Sequence, residues 1–155
     1  MRKLTLIGLS FVLSIAAVGS VYATASARQH HPTRTFTVVR RITDLQSQDA
    51  VPDTTTVGDR FEFTSDLIKN GDVIGHQASA CTVVFVRPNG DHTFICNGTW
   101  VLPHGSITTQ AFNPASGRGG IAITGGTGTY RDARGQVVEG DSLPGDRLEF
   151  IFELS

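Results

Sequence analysis

The strongest constraint on this chain is an alternation with period two. In Arg147–Leu154, Leu148, Phe150, Phe152 and Leu154 share one phase, while Arg147, Glu149 and Glu153 fall in the other. Arg60-Phe61-Glu62-Phe63 repeats the habit, and Asp66-Leu67 continues it. Successive side chains of a strand point to opposite faces, so this pattern marks half-buried strands. No window gives an amphipathic helix of useful length. The chain is therefore expected to be all-β.

Eight strand candidates run near 34–43, 59–69, 73–87, 92–102, 105–112, 119–124, 129–139 and 146–154. Asn70-Gly71 and Asn89-Gly90 are strong hairpin signals. Pro103-His104-Gly105, Asn113-Pro114 through Gly117, and Leu143-Pro144-Gly145 read as further turns. Segment 44–58, with Pro52 and three consecutive threonines, is the longest polar connection. It is expected to cover a barrel mouth or a subunit edge. Eight strands with short links build either a sandwich or a closed barrel. Closure removes exposed strand edges, and an eight-stranded barrel holds one small ligand or a side-chain core.

Composition narrows the function. The 155 residues suit one domain. Thirteen basic against 14 acidic side chains give a net charge of -1. Such a chain lacks the basic field that general nucleic-acid binding uses, so no nucleic-acid partner is expected. Charged residues are only 17%, too few for a disordered solvating chain.

The N-terminus reads as a signal peptide over residues 1–27. Arg2 and Lys3 precede an apolar stretch from Leu4 to Tyr22. Ala23-Thr24-Ala25 and Ala25-Ser26-Ala27 then offer small residues for cleavage. An uncleaved anchor is the alternative. Residues 28–33, with His30, His31 and Pro32, form a lead-in to a domain at 34–155. Cleavage makes the protein secreted, with no membrane span, in a compartment that permits disulfides.

That compartment favours a bond between Cys81 and Cys96, with two buried thiols as the alternative. Taking Asn89-Gly90 as a two-residue loop places Pro88 opposite Asp91 and Cys81 opposite Gly98. Cys96 is then diagonal to Cys81, and a disulfide requires a bulge or a register shift.

Other chemistries find little support. The glycines at 125, 126 and 128 lack the lysine and the strand–glycine–helix context of a phosphate loop. His76, His92 and His104 have no partners at metal spacing, so no metal site is expected. There is no Gly-x-Ser-x-Gly elbow. In the strand at 59–69, Phe61, Phe63, Ser65 and Leu67 share one face, and Arg60, Glu62, Thr64 and Asp66 share the other. Which face lines the interior is open from the sequence.

The segment Ile121-Ala122-Ile123-Thr124-Gly125-Gly126-Thr127-Gly128-Thr129-Tyr130-Arg131-Asp132-Ala133-Arg134-Gly135 resembles the glycine-rich segment of dirigent proteins and of the related allene oxide cyclase-like barrels. Gly58-Asp59-Arg60, the two cysteines, Gly98 and Gly105-Ser106-Ile107-Thr108 resemble secreted bacterial members of that superfamily. The resemblance covers most of 34–154. It implies an eight-stranded antiparallel β-barrel, often a homotrimer. Dirigent proteins steer the coupling of phenoxy radicals, and allene oxide cyclases guide ring closure of an unstable fatty-acid epoxide. Both use the barrel as a largely apolar mould.

The resemblance makes Arg134, the motif arginine, a candidate catalytic and ligand-binding residue, and Tyr130, the motif aromatic, either a structural residue or a ligand contact. Glu62 or Asp66 paired with Arg134 would serve as an electrostatic guide or base, because a nearby cation lowers a carboxyl pKa. The alternative is that Glu62, Asp66, Arg60, Arg147 and Glu149 are solvated strand faces. The expected function is binding or conformational guidance of a small apolar or aromatic molecule. Any reaction is expected to be cyclase- or isomerase-like, by placement and with no cofactor. A noncatalytic module contacting protein or carbohydrate is the rival reading.

Overall fold

Eight antiparallel strands close into one barrel in sequence order. The computed structural model describes residues 34–113 and 119–155. The expected signal peptide, the lead-in and the part of a turn at 114–117 lie outside the described residues. The strands are β1 (Arg34–Gln48), β2 (Arg60–Lys69), β3 (Asp72–Val86), β4 (His92–Leu102), β5 (Gly105–Asn113), β6 (Gly120–Gly126), β7 (Gly135–Leu143) and β8 (Arg147–Leu154). β8 pairs back onto β1, with Phe36 opposite Phe152 and Val38 opposite Phe150. The barrel, not the sandwich, is the observed architecture.

Two strand boundaries are corrected. β1 continues to Gln48, so the polar connection begins later than expected. The register between Ile42 and Asp44 slips by one residue at Thr43. This bulge changes the phase of β1, so Leu45 and Ser47, not Asp44 and Gln46, continue the inward face. Residues 129–134 are not strand. Gly128–Tyr130 form a 3-10 turn, and β7 starts only at Gly135.

The cysteine register is also corrected. Cys81 stands directly opposite Cys96, and the two are bonded. Two single-residue shifts account for the difference. Arg87 N–H bonds the Asp91 carbonyl at 2.7 Å, so the turn holds three residues, Pro88, Asn89 and Gly90. A bulge at Val84 supplies the second shift.

Which face looks inward is settled by burial. Ser65 and Leu67 are buried, Phe61 and Phe63 are half-buried, and Glu62 and Thr64 are exposed. The packed part of the interior is aromatic. Phe152 is 0% exposed and stacks on Phe36 with ring centres 4.7 Å apart. Trp100 lies 5.1 Å from both Phe150 and Phe152. Its indole N–H donates to Thr109 Oγ1 at 3.0 Å, so the largest buried ring is satisfied. Val38, Leu67 and Ile107 complete this core.

The glycine-rich segment closes one end of the barrel. Thr127 N–H bonds the Ser106 carbonyl at 2.8 Å, and Thr129 N–H bonds the His104 carbonyl at 3.0 Å. These bonds fasten the turn across the β4–β5 hairpin. A Cβ on Gly126 would collide with the carbonyl oxygens of Tyr130 and Ser106, so only glycine permits the approach. Tyr130 is thereby carried into the core, 6.2 Å from Phe36.

Candidate active site

The opposite end of the barrel is open. Beyond the aromatic core the interior widens into a cavity of about 470 Å³. Its wall includes Phe61 and Phe63 of β2, Phe94 of β4, and Ile42, Leu45 and Ser47 of β1. The Phe61 and Phe94 rings meet edge to face at 5.2 Å. The Cys81–Cys96 bridge forms part of the same wall, which ties β3 to β4 beside these rings. This size and an apolar lining with few polar groups are typical of small-molecule sites.

The polar groups of the cavity are Arg40, Glu139 and Asn113, with Ser47 toward the mouth. Arg40 shares the inward phase of Phe36 and Val38. Its guanidinium lies 4.7 Å from the Phe150 ring centre and 5.2 Å from that of Phe63. β1 lies between β2 and β8 in the barrel, so the two rings come from the strands on either side of it. Burial lowers the basicity of Arg40, and the Glu139 carboxylate raises it. An arginine keeps its charge under either influence, so the cavity contains a fixed cation.

The connection from β1 to β2 leaves from the cavity mouth, where Ser47 faces Phe61. Asp59 anchors it. One carboxylate oxygen accepts from Ala50 N–H at 2.8 Å, and the other accepts from Thr56 N–H at 2.7 Å. The Thr56 hydroxyl adds a third bond at 3.0 Å. The backbone donors of Thr56 and Ala50 hold the Asp59 pKa below the ordinary carboxylate value, against the opposing effect of burial.

Glu62, Asp66, Arg134 and Tyr130, the candidates expected from the sequence, do not line this cavity. Glu62 faces outward and lines an outer groove of about 400 Å³ with Asp44, Thr64, Ala78 and Ala80. Asp66 also faces outward, bonded to Arg41 at 2.6 Å and 3.3 Å from His76 Nδ1. The Arg41 guanidinium is the main cause that lowers its pKa. Arg134 is exposed, and its guanidinium donates to the Ala133 carbonyl at 2.7 Å. Tyr130 lies at the sealed end, beside a hollow of about 330 Å³ that Arg34, Arg131 and Asp132 also line. No ion pair or hydrogen bond among the described residues joins Arg134 to Glu62 or Asp66.

Arg40, Glu139 and Asn113 were not singled out from the sequence. The signal for two of them is present there as a break in pattern. Arg40 occupies the apolar phase set by Phe36 and Val38, and Glu139 occupies the phase of Val137. A charge in the buried phase of a strand needs a partner or a cavity. The neighbouring Arg41, on the outer face, conceals the first of these breaks.

The family of allene oxide cyclase barrel-like domains matches residues 40–151. The chain belongs to this family. Similar solved structures share the barrel. A pyocyanin demethylase is 25% identical with a TM-score of 0.69, over 79% of this chain and 100% of that one. The exo-specific intermolecular Diels-Alderase AbnU is 16% identical with a TM-score of 0.59, over 78% and 98%. The Diels-Alderase AbmU from Streptomyces koyangensis is 14% identical with a TM-score of 0.59, over 79% and 69%. No curated protein matches the chain.

Proposed function

We propose that this allene oxide cyclase-like barrel binds a small apolar or aromatic molecule in its open-ended cavity and guides its conformation. The observation that carries this reading is the cavity itself. It is about 470 Å³, walled by Phe61, Phe63 and Phe94, with a cation on its wall. A planar molecule of two or three fused rings fits a site of this size and lining. Holding a reactive molecule in one conformation is a sufficient basis for cyclase- or isomerase-like chemistry, and the side chains of the cavity would act by placement and electrostatics. The similarity to a pyocyanin demethylase and to Diels-Alderases supports small-molecule chemistry in this fold. In this reading Arg40 and Glu139 replace Arg134, Glu62 and Asp66 as the polar groups that meet the ligand.

The test is calorimetric titration with 2-naphthol. Saturable one-to-one binding is expected. Ser47→Trp, which places a large ring at the mouth, should abolish it while the far-ultraviolet spectrum stays unchanged. Unaltered binding by Ser47→Trp would put the ligand outside the cavity.

The outer wall supports self-association, with a homotrimer as the form expected of the family. β4, β5 and β6 contain no Asp, Glu, Lys or Arg, and β3 has only Asp72 at its first position. Ile95 and Phe112, directly paired across β4 and β5, are 36% and 55% exposed on this wall. The outward charges sit on the other strands, as in Arg41, Glu62 and Asp66. An uncharged wall with exposed apolar residues suits contact with further copies of the chain. Secretion and cleavage after Ala25 or Ala27 belong to the same proposal, and intact-mass analysis of exported protein checks them.

A further inference from the structure

The chemistry of Arg40 narrows the class of ligand. A guanidinium has five N–H donors in its plane and a π-face on either side. Its central carbon lies over the rings of Phe63 and Phe150, 5.2 and 4.7 Å from their centres. Among the described residues the side chain also feels Glu139, and no hydrogen bond leaves the guanidinium. These contacts hold the cation on a wall whose other polar side chains are Glu139, Asn113 and Ser47.

A half-buried cation with unused donors is costly to maintain in such surroundings. Glu139 offsets part of the charge through space. A carboxylate or a phenolate on a ligand supplies in-plane acceptors of the kind the fork is shaped for, through two parallel N–H···O bonds or one charge-assisted bond. Apolar rings around such a bond lower the local dielectric, which strengthens it.

We infer that the ligand of this cavity is a planar aromatic molecule bearing an anionic oxygen group, with its rings against Phe61, Phe63 and Phe94 and its anionic oxygen on Arg40. The inference rests on the proposed cavity function and makes it specific. Arg40 is then the residue that selects anionic over neutral aromatics, and Asn113 of β5 offers a neutral amide on the same wall. The outer groove at Glu62 carries acidic side chains, Asp44 and Glu62, and would disfavour such a ligand. The sign of the charge preference therefore separates the two sites.

The experiment compares 2-naphthoate with its neutral isostere 2-naphthamide by calorimetry at pH 7. The naphthoate is expected to bind at least about tenfold more tightly, as for one hydrogen bond to a charged group. Arg40→Met keeps an unbranched chain between Phe63 and Phe150 and should remove this difference between the two probes. Arg40→Lys should retain a reduced preference for the anion. Equal affinities in the native protein overturn the inference and leave the cavity reading intact. So does an anion preference that persists in Arg40→Met. Binding of neither probe overturns both. The native-protein comparison decides the matter even where Arg40→Met fails to fold.

Discussion

The guanidinium of Arg40 lies 4.7 Å from the ring centre of Phe150. Phe150 is 1% exposed and belongs to the packed aromatic core, while Arg40 belongs to the cavity wall. This contact is therefore the boundary between the two halves of the barrel. On one side Phe36, Trp100, Phe150 and Phe152 fill the interior. On the other the bulge at Thr43 shifts the inward phase of β1 to Leu45 and Ser47, and the interior opens. A cation over an aromatic face contributes about 0.5–2 kcal/mol, depending on desolvation. The same contact that stabilises the floor also holds the charge on the cavity wall.

Phe152→Ala tests the packed half. The side chain is 0% exposed and meets both Phe36 and Trp100. Its removal leaves a cavity that rigid strands cannot collapse around. A loss of about 3–5 kcal/mol in unfolding free energy is expected by urea denaturation. A loss below about 1 kcal/mol would show that the aromatic cluster is not the core.

The disulfide spans a sequence separation of 15 residues. Closing such a loop in the unfolded chain stabilises the fold by about 3 kcal/mol on the chain-entropy account. Cys81→Ala with Cys96→Ala should lower the urea midpoint by a corresponding amount. Because the bridge lines the cavity, 2-naphthol affinity should fall in the same variant under conditions where it stays folded. Unreduced protein in which both cysteines react with an alkylating agent would exclude the bond.

Acid should loosen the loop at the mouth. The folded-state pKa of Asp59 is depressed, so its contribution is present above the ordinary carboxylate pKa of about 3.9 and is lost as pH falls through the lower folded value. Below that value the protonated group gives up its charge-assisted bonds from Ala50 and Thr56. Limited proteolysis should cut within 49–59 at strongly acidic pH while the strands remain protected. Asp59→Asn should show the same cleavage at pH 7. A loop equally resistant in both would remove Asp59 as its anchor.

The uncharged wall predicts a dose of charge that breaks assembly. Phe112→Asp and Ile95→Asp each place a carboxylate among exposed, paired apolar side chains. Light scattering coupled to size exclusion should report an oligomer for the native chain and monomers for either variant. Charge added on the opposite side, as in Gln136→Lys on β7, should leave the oligomer intact. A native chain that elutes as a monomer at all concentrations would contradict the proposed contact.

Much of the barrel was legible from alternation alone. β2 and β8 show it plainly, because Phe61, Phe63, Phe150 and Phe152 occupy one phase without exception. The slips at Thr43 and Val84 were not legible. A bulge shifts register by one residue with no change in composition, and its consequences appear only across the ladder, as in Cys81 meeting Cys96. The most distinctive motif, Gly125 through Gly135, identifies the family for a structural reason. Gly126 permits a close approach, and Tyr130 plugs the end of the barrel. The arginine of that motif, Arg134, lies outside the cavity. Arg40 and Glu139 carry no motif, and they are recognisable only as charges in a buried phase.

The proposed function requires that a ligand enter the barrel interior and not the outer groove. Methyl-resolved NMR with 2-naphthol tests it most directly, because an aromatic ring shifts the resonances of methyls beneath it. Ile42 and Leu45 lie on the cavity wall, and Ala78 and Ala80 lie in the outer groove. Saturable ring-current shifts and cross-relaxation at Ile42 and Leu45, with Ala78 and Ala80 unmoved, are the predicted result. Shifts confined to Ala78 and Ala80, or none at any of the four, would contradict the account.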